Sequence, residues 1–231
     1  MPLRGCAPQE ERMKKASISN NVIRRLPRYV RKLDDLAQQG VERISSAELG
    51  RQMGLTPSQI RQDFSCFGEF GQQGYGYNVE LLRDEISAIL GTTRGYTVVI
   101  VGVGNLGHAL LRNFDFASGG FKVVGAFDVL PELIGTEICG IEIKDGDKLP
   151  AFVRENQVDI AVLTVPRSVA NGAANVLAEN GVKAIWNFTN VELHLQDPDV
   201  VVEDVHFSDS LLALSYYLSE RNDREASGGT L

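Results

Sequence analysis

The sequence predicts an α/β chain in two parts: an N-terminal winged helix-turn-helix domain, then a C-terminal Rossmann-like domain with a parallel sheet and a terminal helix. Three observations predict it. In residues 45–64 a short helical pattern, a glycine turn and a second helical pattern follow one another. An apolar run at 97–101 enters Gly102-Val103-Gly104-Asn105-Leu106-Gly107, and a second strand pattern then ends in Asp128. Beyond it, short apolar runs alternate with helical segments, the pattern of a doubly wound parallel sheet.

Composition narrows the class. At 231 residues, 43% hydrophobic and 23% charged, this is the make-up of a soluble protein of one or two domains. No run approaches the ~18 apolar residues of a membrane span, and residues 1–12 lack the apolar centre of a signal peptide. A cytoplasmic protein without a membrane partner is expected. Cys6, Cys66 and Cys139 show no CxxC spacing, and His108, His194 and His206 no ligand spacing, so no metal is expected. The net charge of -7 alone argues against DNA. Its distribution reverses that reading. Arg12, Lys14, Lys15, Arg24, Arg25, Arg28, Arg31 and Lys32 follow one another with no acid between them, while the acidity lies beyond residue 90. A basic end on an acidic body suggests a confined nucleic-acid contact; the plainer alternative is a solvated helix face.

The expected organisation is a disordered leader (1–16), a winged-helix DNA-binding domain (17–91), a nucleotide domain (92–207), a dimerisation helix (208–221) and a disordered tail (222–231). Residues 18–39 have apolar positions at spacings of three and four, with Pro27 predicting a break between a short and a longer helix and Gly40 a stop. Ser45 and Glu48 have capping-box spacing. Gly54 marks the turn, and Thr56-Pro57 opens the second helix with an N-cap and a proline at its first position. That helix is the candidate reader of DNA. Ser58, Gln59, Arg61 and Gln62 lie at its start, where side chains reach base edges; Arg suits guanine and Gln adenine. Arg24, Arg25 and Arg28 are candidate DNA contacts from the basic segment. Glycines alternating with aromatics over 68–77, including Tyr75 and Tyr77, suggest a β-ribbon wing. A small helical cap with no DNA role is the structural alternative.

In the second part, Gly102 permits the turn, Gly104 lets backbone approach a pyrophosphate, and Gly107 lets the helix pack on its strand. The helix start supplies orphan N–H groups to the phosphates. Asp128 is placed to bind an adenosine ribose and repel a 2′-phosphate, which favours NAD(H); FAD and coenzyme A are lesser alternatives. Ligands of such sheets sit beyond the strands' carboxyl ends, where Thr164-Val165-Pro166 and Asn187-Phe188 also fall. Arg167 is near that mouth. Residues 138–143 read as a hairpin or a strand. The last helix, over 208–219, is apolar nearly all round and therefore predicted buried, either on its own sheet or against a second subunit, by exchange among other ways.

No Tyr-x-x-x-Lys occurs, and no histidine has an evident orienting carboxylate and substrate arginine, so no catalytic residue is assigned. Two rival readings stand beside a nucleotide sensor: an NAD-dependent oxidoreductase with a fused accessory domain, and a thiol regulator using Cys66. The plainer reading of Cys66 is a small buried hydrophobe.

Taken together, Ser45-Ser46-Ala47-Glu48-Leu49, the run from Ile60 through Arg61-Gln62-Asp63-Phe64 to Gly68, Gly74-Tyr75-Gly76-Tyr77, the glycine turn, Leu163-Thr164-Val165-Pro166 and Asn187-Phe188 resemble the Rex family of redox-sensing transcriptional repressors. The resemblance runs from about residue 17 to 218. It implies a bacterial cytoplasmic homodimer that binds palindromic double-stranded operator DNA when NADH is scarce and releases it when NADH rises, with the terminal helix exchanged between protomers. The chain departs from the family's pattern in three places. Gln72-Gln73 stand where a wing often carries basic residues, and Cys66 where a tyrosine is usual. Some members have a ligand-dependent arginine, tyrosine and aspartate network; its matching positions here are Arg31, Asn113 and His206.

Overall fold

The structure is a computed structural model that describes residues 18–68, 70 and 75–226. It divides into two compact units, Met1–Thr93 and Arg94–Leu231.

The first unit opens with α1 (Asn20–Gln38), capped by Ser19. Pro27 lies inside this helix and does not divide it, against the expectation. The proline forgoes one backbone hydrogen bond, but Val22, Leu26, Tyr29, Leu33 and Leu36 bury one continuous stripe across it, and that packing outweighs the local cost. The helix stops as predicted at Gly40, where amides of Gly40 and Val41 return to the carbonyls of Ala37 and Leu36 at 2.9 and 3.0 Å. After β1 (Arg43–Ile44) comes α2 (Ser46–Met53), with the Ser45 hydroxyl accepting the Glu48 N–H at 3.1 Å. Only half of the capping box forms, because the Glu48 carboxylate takes hydrogen bonds from Arg51 and Gln52. Gly54, left-handed at φ 68°, ends α2, and Thr56 caps α3 (Pro57–Ser65).

The turn between the two helices leaves no room at Gly50, where a Cβ would lie 2.5 Å from the Leu55 carbonyl oxygen. Gly50→Ala is therefore expected to cost about 2 kcal/mol, since backbone must yield. Urea unfolding should show a lower midpoint with unchanged m-value; an unchanged midpoint contradicts it.

The expected wing is seen only in part. Glu69 and residues 71–74, with Gln72 and Gln73, lie outside the described residues. What is described, β2 (Tyr77–Asn78), pairs antiparallel with β1, so the strand after α3 returns to the strand before α2. Asn78 then caps α4 (Val79–Leu90), which packs against α1 over a shared core of Leu33, Leu49, Ile60, Phe64, Leu82 and Ile86.

The second unit runs β3 (Tyr96–Val101), α5 (Asn105–Asn113), β4 (Phe121–Asp128), β5 (Glu137–Ile138), β6 (Ile141–Asp145), α6 (Leu149–Asn156), β7 (Ile160–Leu163), α7 (Arg167–Glu179), β8 (Ala184–Asn187), β9 (Val201–Asp204) and α8 (Phe207–Ala226). The sheet order is β5-β6-β4-β3-β7-β8-β9. All neighbours are parallel except β5 with β6, the hairpin left open by the sequence. Counting parallel strands alone, the order is the dinucleotide-binding 3-2-1-4-5-6, with its reversal point between β3 and β7. Separate apolar clusters cover the two faces, one around Val99, Phe127 and Leu163 and one around Val98, Ile100 and Val162, which is why the strands read as unbroken apolar runs.

At the C-terminus one expectation is corrected and one of two open alternatives is set aside. The tail does not begin at 222: α8 continues to Ala226, supported by Arg221–Glu225 and Arg224–Glu220 pairs at helical spacing. Nor does α8 pack on its own sheet. Leu211, Leu212, Leu214, Tyr216, Tyr217 and Leu218 are all more than half exposed.

Candidate nucleotide and nucleic-acid sites

The glycine turn connects the end of β3 to the start of α5, at the reversal point of the sheet. Each glycine has a distinct geometric reason. Gly102 adopts φ 94°, and a Cβ there would meet the Thr164 and Val165 backbone at 2.9 Å. At Gly107 a Cβ would sit 2.0 Å from the Gly102 carbonyl oxygen, so α5 approaches its own strand as closely as backbone permits. Gly104 is the opposite case: nothing lies within 4 Å of a Cβ built on it. It is also the N-cap of α5 and offers no side chain to the helix's first amides. An open cradle at an uncapped helix start suits a phosphate.

The other predicted residues divide into those that face this cradle and those that build it. The Asp128 carboxylate, at the end of β4, accepts N–H groups from Val103 at 2.6 Å, Val129 at 2.7 Å and Leu130 at 2.9 Å. Three amides thus hold a negative charge beside the glycine turn. Thr164 builds: its hydroxyl donates to the Gly102 carbonyl at 2.6 Å and ties the turn to the loop after β7. Val165 is half-buried on the core, and Pro166 is the N-cap of α7, whose first residue is the exposed Arg167. Asn187 also builds. Its side chain is 2% exposed. Its amide donates to the Val191 carbonyl at 2.8 Å and Asp204 at 2.7 Å, while its oxygen accepts from the Thr189 amide and hydroxyl. It pins β8 to β9 and has no amide hydrogen left for a ligand. Phe188 lies in an aromatic row, with Trp186 at 4.6 Å between ring centres and Phe207, the first residue of α8, at 5.9 Å.

In the first unit the basic residues are not alike. Arg24, Arg28 and Arg31 are exposed on α1. Arg25, predicted as a DNA contact, has one edge of its guanidinium committed within the fold. Its Nε and Nη2 donate to the two oxygens of Asp63 on α3 at 2.7 and 2.6 Å. The Tyr29 hydroxyl donates to the same carboxylate at 2.7 Å. Asp63 is 2% exposed and Tyr29 fully buried. Burial, then the neighbouring carboxylate, pushes the Tyr29 phenol well above its ordinary range, so it is a permanent donor. The Asp63 partnership likewise raises the Arg25 guanidinium. Asp63 and Tyr29 were missed as site residues. The available signal was an acid at 63 on the inward face shared by Ile60 and Phe64.

On α3, Ser58, Arg61 and Gln62 are exposed and Gln59 half-buried. Arg61 lies across the surface, donating to the Ser46 and Ser58 hydroxyls at 3.0 and 3.2 Å. Tyr75 is 71% exposed, whereas Tyr77 turns inward, edge-on to Phe64 at 5.2 Å, and burial raises its phenol. Cys66 is exposed, so its reading as a small buried hydrophobe fails; its thiol donates to the Gln62 carbonyl at 3.4 Å. It follows the last turn of α3, where solvent still reaches the helix. Of the three switch positions, Asn113 donates to the Ala109 carbonyl at the end of its own helix, Arg31 is exposed, and the exposed His206 directly precedes α8. Among the described residues, no cluster of His, Cys, Asp and Glu could hold a metal, and no helix is long and apolar enough to cross a membrane.

Comparison with known proteins matches both units. Residues 17–65 fit a family described as "Putative DNA-binding protein N-terminus", and residues 93–191 fit the "CoA binding domain" family. The redox-sensing transcriptional repressor Rex of Caldicellulosiruptor saccharolyticus is 50% identical over 208 residues, 90% of this chain and 94% of its own. That of Clostridium perfringens is 48% identical over 209 residues, 90% of this chain and 98% of its own. Among solved structures, RSP, a Rex-family repressor, is 43% identical with a TM-score of 0.84, covering 92% of this chain and 99% of that one. RSP in complex with β-NAD+ and operator DNA matches at 45% identity and a TM-score of 0.83, over 93% and 99% of the two chains. RSP in complex with β-NADH matches at 42% and 0.84, over 91% and 98%. A helix-turn-helix, a dinucleotide sheet order with its glycine cradle, and a shared sequence over nine-tenths of the chain agree: the protein belongs to the Rex family of redox-sensing transcriptional repressors.

Proposed function

We propose that this chain is a cytoplasmic, homodimeric repressor that binds palindromic operator DNA when NADH is scarce and is released by NADH, with no enzymatic turnover. The observation that carries the reading is the open Gly104 cradle at the uncapped start of α5, in one chain with a helix-turn-helix. The relatives' names and RSP's complexes with NADH, and with NAD+ and DNA, support it. In this reading the amides of Asn105 and Leu106 face the pyrophosphate and Asp128 faces the adenosine ribose. Thr164 and Asn187 hold the shape of the site from behind. Arg24, Arg28, Ser58, Gln59, Arg61, Gln62 and Tyr75 present the DNA-facing surface. The exposed apolar face of α8 is covered by the second protomer, whether or not the helices are exchanged.

The ligand must bind one DNA-spacing state of the dimer better than the other, or it shifts nothing. The aromatic row Trp186, Phe188 and Phe207 supplies the difference. A neutral dihydronicotinamide enters an apolar interface more cheaply than the cationic ring of NAD+. Titrating NADH or NAD+ into protein bound to a palindromic duplex library at fixed salt should release DNA with NADH and retain it with NAD+. Reciprocity requires the same duplex to weaken NADH binding by the same factor. Equal NADH affinity with and without the duplex sinks the mechanism.

A second reading is favoured by one observation, the exposure of Cys66 beside the reader helix. Under it, peroxide weakens DNA binding and Cys66→Ser removes that sensitivity; binding indifferent to peroxide rejects it.

A further inference from the structure

We infer that Asp63 and Tyr29 are positioning residues for Arg25, and that the outer edge of the Arg25 guanidinium takes a DNA backbone phosphate in the groove between α1 and α3. The inference rests on the DNA-binding reading above. The groove has a volume of about 670 Å3, and its walls include Ser19, Arg25, Thr56, Ser58, Gln59 and Gln62. It therefore runs along the predicted base-reading side chains of α3.

Guanidinium chemistry sets the direction. Arginine has five N–H donors in a planar fork. Asp63 takes one from Nε and one from Nη2, the side-on arrangement. Among the described residues no acceptor meets Nη1, so the opposite edge of the fork remains available while the near edge is locked. Arg25 is 20% exposed at its side chain, and it lines the groove. A free arginine loses rotamer freedom on binding, whereas a clamped one has already lost it.

The groove's other groups specify the ligand. Ser19 and Thr56 hydroxyls accept N–H groups from Val22 and Gln59, leaving their own O–H groups to donate. Ser58, Gln59 and Gln62 add neutral donors, and among the described residues the one acid on the wall, Asp63, is already paired. Several donors around one fixed guanidinium edge suit a phosphate. Such a contact sets the register of a reader helix without carrying sequence information.

The test is the triple variant Arg25→Met, Tyr29→Phe, Asp63→Leu in the full chain. It removes one positive and one negative charge, so the net charge and long-range steering are unchanged. Apolar groups of similar volume can replace a buried ion pair without loss of the fold. Binding to a random-sequence duplex is expected to weaken about tenfold, and the plot of log K against log salt to become shallower by about one. Wild-type slope and affinity in a folded variant would show a purely structural pair and overturn the inference. A loss confined to one base position of a selected duplex, with unchanged slope, overturns the phosphate assignment. Wild-type protein that binds no duplex overturns the DNA-binding reading itself, and this inference with it. Should the variant not fold, the wild-type protein still decides. Its Arg25 guanidinium nitrogen resonances are expected to shift on saturation with duplex, and unshifted resonances reject the contact.

Discussion

Gly104→Ala is expected to abolish most nucleotide binding while leaving the fold intact, and Gly107→Ala to damage both. The two positions are three residues apart and differ in what a methyl group meets. At Gly107 the new carbon would stand 2.0 Å from the Gly102 carbonyl oxygen, and at neither end is there a flexible side chain to move aside. Helix α5 must lift from β3. Overpacking against backbone at this distance is expected to cost about 3 kcal/mol, the upper end of the usual range. The thermal transition of the second unit should fall by roughly 10 °C. At Gly104 the backbone is extended, with φ -66° and ψ -164°, a conformation open to any residue, and the added carbon meets nothing. Stability should stay within about 0.5 kcal/mol of wild type. A methyl group in the cradle nevertheless holds a pyrophosphate away from the α5 amides, and NADH affinity should drop by at least about tenfold. Calorimetry and NADH fluorescence titration on the two variants separate the roles. Wild-type NADH affinity in Gly104→Ala would place the pyrophosphate elsewhere.

Arg25→Ala is expected to destabilise the first unit strongly. It leaves the Asp63 carboxylate, 2% exposed, with the Tyr29 hydroxyl as its remaining donor among these three groups. Breaking a buried pair from one side costs about 3–5 kcal/mol, because the remaining charge is neither solvated nor matched. The double change Arg25→Met with Asp63→Leu should recover most of that loss, since it removes the charge together with its partner. Urea unfolding of the three proteins tests this. A loss under about 1 kcal/mol for Arg25→Ala would mean that Asp63 finds water or another donor when Arg25 is gone.

The order of elements was legible because it is written in local patterns. Helix starts at Ser45 and Thr56 follow from short polar side chains placed before an apolar period, and both hydroxyls accept the expected N–H. The glycine turn was legible for the same reason: its three glycines, its strand and its acid lie within one short stretch. The sequence was less legible where a distant contact outweighed the local signal. Pro27 locally favours a break, but the stripe from Val22 to Leu36 belongs to a core completed by α3 and α4. Arg25 looks like its exposed neighbours until Asp63, 38 residues on, clamps one edge of its guanidinium. Thr164 and Asn187 fall at strand ends where ligands bind, yet both spend their hydrogen bonds on the frame of the site.

By itself, the sequence determined the order of most helices and strands, where the phosphate cradle lies, and that a DNA reader precedes it. Those depend on φ preferences, capping and apolar period, all of which act within a few residues. Tertiary structure alone decided which polar groups are left over for a ligand. A donor or acceptor has a limited number of bonds, and whether the fold consumes them depends on residues far away in the chain. Asp63 spends two N–H groups of Arg25, and the Gly102 carbonyl spends the hydroxyl of Thr164, whereas the start of α5 keeps its amides uncapped beside an open Gly104.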